Sequence, residues 1–123
     1  MDQSTPLSTW DDLALMYAVQ RSDERALAVL YDRHGASILG LVIRMLPNQA
    51  DAESVLLATF TQAWWNAGQY SVRRGSVAAW LVTIARSRAL DAIRAAGRRA
   101  RIMPISTDDV PIRSLAVVGK MFV

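Results

Sequence analysis

Apolar positions along this chain recur mostly at three- and four-residue intervals, the spacing of one face of an α-helix. After a loose start around Pro6, Thr9 or Asp11 is placed to cap a short first helix reaching about Gln20. Ser22-Asp23 resets the chain, and Asp23-Glu24 suit a helix N-terminus. Leu27, Leu30, Tyr31, His34, Ile38, Leu41, Val42 and Met45 then trace one face of a long second helix that stops before Pro47. Gly35 and Gly40 lie inside it, lowering its propensity while leaving room for a neighbouring helix to approach. Asn48 suits the cap of a third helix, with Asp51 and Glu53 in its first turn and an inner stripe of Ala52, Val55, Leu56, Phe60, Ala63 and Trp64. Residues 67–76 interrupt the pattern and read as a loop, Gly68 ending the third helix and Ser76 capping a fourth. That fourth helix opens on Val77, Trp80, Leu81, Ile84 and Ala85. Its stripe then drifts to Leu90 and Ile93, as in a helix that bends or one that leaves its own domain for another surface. Gly97 and then Pro104 are expected to end it. The pattern predicts an all-α fold: a compact bundle of about four helices over 11–101, between a flexible N-terminus (1–10) and an irregular tail or linker (102–123).

The third helix has an unusual second side. Ser54, Ala58, Thr61 and Trp65 follow one another along it, and no charged residue occurs from Ser54 to Val72. A helix without a charged outer face is either central in its own fold or docked on a partner. Trp65 is therefore a candidate partner contact.

Composition narrows the chemistry. With 123 residues and 52% hydrophobic residues the chain suits one domain, or a domain plus a tail. It has no cysteine, which excludes disulfides and thiolate metal sites, and its single histidine, His34, excludes a histidine-rich one. His34 lies on an apolar stripe and reads as a satisfied core histidine. No P-loop, Gly-x-Ser-x-Gly or Gly-x-Gly-x-x-Gly pattern occurs, so neither an enzyme nor a cofactor is expected. No 18-residue apolar run and no signal peptide are found, so no membrane partner is expected and the cytoplasm is the expected compartment.

Charge changes the picture. The net +3 conceals a block over 73–101 with eight arginines against one acid, Asp91, while the rest of the chain is net acidic. Arg73-Arg74 precede Gly75-Ser76 at the opening of a helix, where forked cations and free N–H groups make a phosphate site. Tyr70 beside them is the stacking candidate for an unpaired base; Trp80, on the inner stripe, reads as core. Arg94, Arg98 and Arg101 stand on neighbouring turns, spaced to follow a phosphate backbone.

The order of segments, with Leu30-Tyr31-Asp32-Arg33, Asp51-Ala52-Glu53, Phe60 with Trp64, Arg73-Arg74-Gly75-Ser76 through Ala79-Trp80-Leu81, Ile84-Ala85-Arg86, Arg88-Ala89 and Asp91, resembles region 2 of the extracytoplasmic-function (ECF) sigma factors of the sigma-70 family. The likeness covers about 12–101. It implies that the helix over 51–65 docks on the clamp coiled coil of the RNA polymerase β′ subunit, through Asp51, Glu53, Ser54, Leu57, Ala58, Thr61 and Trp65. It further implies that Tyr70, Arg73, Arg74, Ser76, Arg86, Ser87, Arg88, Arg94 and Arg98 hold the non-template strand of a promoter −10 element, one base flipped out of the stack. An anti-sigma factor is a further implied partner. The chain departs from the family's pattern at Ser54, Leu57 and Ala58, where acids and a glutamine are usual, at Ser71-Val72 in place of Asp-Pro, and at Ser87 in place of asparagine. The last 22 residues are too few for the helix-turn-helix region 4, so −35 recognition is not expected of this chain. Two further readings rest on the residues alone: a protein-interaction module competing for polymerase or an anti-sigma partner, and a non-specific basic binder of nucleic acid.

Overall fold

Four helices account for most of the computed structural model, which describes residues 6–102 and side chains as far as Arg99. They are α1 (Asp12–Gln20), α2 (Glu24–Met45), α3 (Gln49–Trp65) and α4 (Val77–Ile102), and no strand occurs among the described residues. Each helix starts where a short polar side chain satisfies a free N–H. Asp11 accepts from the Ala14 N–H at 2.8 Å, which settles the first cap in favour of Asp11 over Thr9. Asp23 accepts from the Arg25 N–H at 3.0 Å, Asn48 from the Asp51 N–H at 3.1 Å, and Ser76 from the Ala79 N–H at 3.0 Å. The Arg25 guanidinium also bonds Asp23 and holds its carboxyl below the usual carboxylate range. Between α1 and α2 the chain turns at Ser22, whose φ of 66° is one that few non-glycine residues adopt.

The helices converge on one core in which Leu15, Met16, Leu30, Ile38, Val42, Val55 and Leu81 are almost wholly enclosed. α2 touches each of the other three helices, and α3 packs between α2 and α4. Tyr31 and Phe60 meet edge to face at 5.0 Å and join α2 to α3. At the other side of α2, Asp12 ties α1 down: it accepts from Arg33 Nη1 at 2.8 Å and pairs with His34 Nε2 at 2.7 Å. His34 is thus half-buried between two helices and satisfied there.

Two sequence expectations change here, and a third is qualified. Gly35 and Gly40 are not helix crossing points: the nearest atoms to a Cβ at Gly35 belong to the Tyr31 ring of the same helix, at 3.6 Å, and Gly40 faces open space. By length and mean hydropathy α2 is long and apolar enough to cross a membrane, although Asp32 and Arg33 interrupt its apolar run. In this fold it is the bundle's central helix, with Arg33 and His34 held by Asp12. Gly97 does not end α4, which continues to Ile102. Among the described side chains its last buried one is Ala89; from Leu90 to Arg99 each is half-buried or exposed. The drifting stripe therefore marks a helix that outlasts the core it packs on. Of the N-terminus expected to be flexible over 1–10, residues 7–9 form a 3-10 turn whose Ser8 carbonyl accepts from Arg33 Nη2 at 3.0 Å, while residues 1–5, the Arg101 side chain and the tail over 103–123 lie outside the described residues.

Candidate nucleic-acid interface

Between α3 and α4 the chain makes two short 3-10 turns, Ala67–Gln69 and Val72–Arg74. Their shape is held from inside. Gln20, at the end of α1, donates its side-chain amide to the carbonyls of Ala67 at 2.9 Å and Tyr70 at 3.2 Å. Tyr70 turns inward, packs edge to face on Trp80 at 5.4 Å, and donates its hydroxyl to the Gly75 carbonyl at 2.9 Å. Gly75 has a φ of 93°, open only to glycine without strain, and delivers the chain to Ser76. The result is a braced loop whose exposed side chains are Gln69, Ser71, Val72, Arg73 and Arg74. Neither arginine has an ion-pair partner among the described residues.

Tyr70 is the main correction at this site. The loop position suggested an exposed ring for base stacking, but the ring is only 5% exposed and lies in the core. It braces the arginines and is not itself a stacking surface. Burial also raises its pKa above the ordinary value of 10.0. The fold thus favours the protonated phenol: that stability is complete below the ordinary tyrosine pKa and is lost as pH rises through the raised one. Tyr70→Phe is expected to lower unfolding stability by about 1 kcal/mol at neutral pH, through the unmatched Gly75 carbonyl. It should also remove this alkaline loss, and urea titrations of both proteins on either side of pH 10.0 check the pair of effects.

Ser76 lies at the start of α4 with its hydroxyl engaged as the cap, leaving the N–H groups of Val77 and Ala78 without an intrahelical partner. Further along, Arg86, Leu90, Arg94 and Arg98 form a four-residue-spaced row, all exposed, with Ser87 beside it. Arg94 bonds Asp91 at 3.0 Å in an exposed pair of the kind that yields easily to another anion. Arg88 is not part of that row. It turns toward α3 and donates Nε to Gln62 Oε1 at 2.7 Å. Gln20 and Gln62 are the site residues that sequence reasoning missed. Each is a helix-end or mid-helix glutamine whose partner lies far along the chain, and no local pattern announces that.

On α3 the structure shifts the candidate docking face by one residue. Ser54 and Ala58 are buried, with 8% and 4% exposure, and the Ser54 hydroxyl donates to the Ala50 carbonyl within the helix. They face the core because α3 is packed on both α2 and α4. The accessible row is Glu53, Leu57, Thr61 and Trp65, with Asp51 half-buried near its start and Trp65 77% exposed at its end. Two of the three departures from the family's pattern on this helix therefore fall on core positions. Among the described residues no cluster of metal-ligating side chains occurs.

Fold and surface together define a small all-α domain with a braced arginine loop, an arginine row on the helix that follows, and an exposed tryptophan on the helix before. Residues 30–99 match the sigma-70 region 2 family. The chain is 34% identical over 114 residues to the ECF RNA polymerase sigma factor SigK of Mycobacterium sp. (strain KMS), covering 90% of this chain and 59% of that protein. It is 36% identical over 107 residues to SigK of Mycolicibacterium vanbaalenii, covering 84% and 55%. With SigK of Mycobacterium tuberculosis (strain ATCC 25177 / H37Ra) it shares 35% over 81 residues, 66% of this chain and 43% of that one. No solved structure matches. The chain belongs to the sigma-70 family, as a region 2 domain of the ECF type. It spans less than two thirds of the length of these relatives.

Proposed function

We propose that this chain is a transcription-initiation module that docks on core RNA polymerase and captures the non-template strand of a promoter −10 element. The observation that carries the reading is the braced loop: Arg73 and Arg74 stand exposed and, among the described residues, without ion-pair partners at the entry to α4, whose outer face continues in Arg86, Arg94 and Arg98. Cations on a rigid frame position a phosphate backbone, and the adjoining helix N-terminus adds two unpaired N–H donors. The row Glu53, Leu57, Thr61 and Trp65 on α3 is the polymerase contact in this proposal, the β′ clamp coiled coil being its partner by family. It is a binding role carried out in the cytoplasm; the polymerase performs the chemistry. An anti-sigma factor would compete for the same two faces.

Exposed Leu57 and Trp65 also suit a second reading, an interaction module that binds polymerase without DNA. Co-elution of the purified chain with bacterial core RNA polymerase, with and without a −10-like single strand, separates the two. Co-elution that retains the strand is the expected result. Co-elution without the strand selects the second reading, and no co-elution in moderate salt removes both.

A further inference from the structure

The arginine turn is closed on itself by local bonds. Tyr70, which follows the first 3-10 turn, donates its hydroxyl to the Gly75 carbonyl and so spans the residues that carry Arg73 and Arg74. Within that span Arg74 N–H donates to the Ser71 carbonyl and Gly75 N–H to that of Val72, while Tyr70 N–H donates back to Ala67. These bonds set the loop's shape, and the Tyr70 ring on Trp80 anchors it to α4. Its place against α1 depends on one group. Among the described residues, Gln20 is the one side chain of α1 or α2 that hydrogen-bonds the loop. Its amide reaches the carbonyls at both ends of the first turn, Ala67 and Tyr70, which engages both of its donors. Gln20 also has a fixed base. It is the last residue of α1, whose first residue, Asp12, is held on α2 by Arg33 and His34. A binding group already held in place in the free protein is spared the ordering cost that association otherwise carries.

We propose that Gln20 is a positioning residue for strand binding: from α1 it holds the loop so that Arg73 and Arg74 meet adjoining phosphates without first having to be ordered. The proposal rests on the reading of the loop as a strand-binding surface, and it gives that surface an uncharged determinant outside the arginine block. Gln20 acts through the arginines, so its contribution exists only while they are present.

Anisotropy titrations of the full chain with a fluorescein-labelled −10-like single strand test it, each variant being melted separately to establish that it is folded. Gln20→Met keeps the length and bulk of the side chain without its donors. It should weaken strand binding about five-fold. It should also flatten the dependence of log Kd on log salt, although both arginines remain. Gln20→Asn, whose amide falls one methylene short, should show the same losses in smaller measure, and it carries the test if Gln20→Met melts below the assay temperature. In a chain that already has Arg73→Ala and Arg74→Ala, the Gln20 change should have no further effect, because the groups it positions are gone. Equal weakening in both backgrounds would make Gln20 a general support of the fold or an independent contact, and no weakening in the intact chain would make it dispensable; either result overturns the proposal. If the two alanines alone leave affinity unaltered, the loop reading falls, and the positioning role with it.

Discussion

Trp65→Ala should weaken binding to core RNA polymerase about 30-fold while leaving the domain's stability nearly unchanged; a buried tryptophan anchor at an interface is typically worth at least about 2 kcal/mol. The asymmetry follows from where the ring stands. It is 77% exposed in the free domain, at the last residue of α3, so truncation removes little core packing. Surface substitutions of this kind usually change stability by less than about 0.5 kcal/mol. An exposed indole at the end of the row Glu53, Leu57 and Thr61 has its apolar area still to bury, and a docked partner supplies that burial. Equilibrium titration against polymerase, paired with a thermal melt of each protein, checks both halves. Unchanged affinity moves the docking face off this row. A variant that melts many degrees earlier would instead make Trp65 part of the fold's own packing.

How much of this was legible beforehand depends on whether the signal was local. Asp11, Asp23, Asn48 and Ser76 act within three residues of their own positions, so the helix starts were readable from capping chemistry alone. Trp80 was readable as core because it repeats with Val77, Leu81 and Ile84. The accessible row of α3 was legible only in kind. Absence of charge showed that the helix has no ordinary solvent face, but adjacent residues point about 100° apart on a helix, and nothing local chose between the row through Ser54 and Ala58 and the row through Glu53 and Leu57. Packing of α3 between α2 and α4 made that choice. Tyr70 was misplaced for a related reason. Its loop address suggested exposure, whereas its partners, Gly75 and Trp80, come within reach only once the two 3-10 turns have formed. The exposure of Arg73 and Arg74 was readable from the loop's polar sequence, and the frame that braces them was not.

That frame makes the second large effect testable without confusion from unfolding. Arg73→Ala with Arg74→Ala should lower affinity for a −10-like single strand about 10- to 100-fold at low salt and flatten the dependence of log Kd on log salt by about 1.4, at roughly 0.7 per phosphate contact removed. The fold should tolerate the change. Both side chains are exposed, and the turn they sit on is held by backbone bonds: Arg74 N–H to the Ser71 carbonyl at 2.9 Å and Gly75 N–H to the Val72 carbonyl at 3.1 Å. Alanine keeps both of those bonds, and Gln20 and Tyr70 still brace the loop from inside. Replacing both arginines with lysine separates two contributions. Lysine keeps the charge, and so most of the salt dependence, but loses the planar fork that grips a phosphate at two points. The lysine protein should therefore regain the steep salt slope without regaining full affinity. A drop in affinity with an unchanged slope in the alanine protein would mean that the arginines contact bases and not phosphates. Unchanged affinity and slope together would take the strand off the loop and leave Arg86, Arg94 and Arg98 on α4 as the surface to test next.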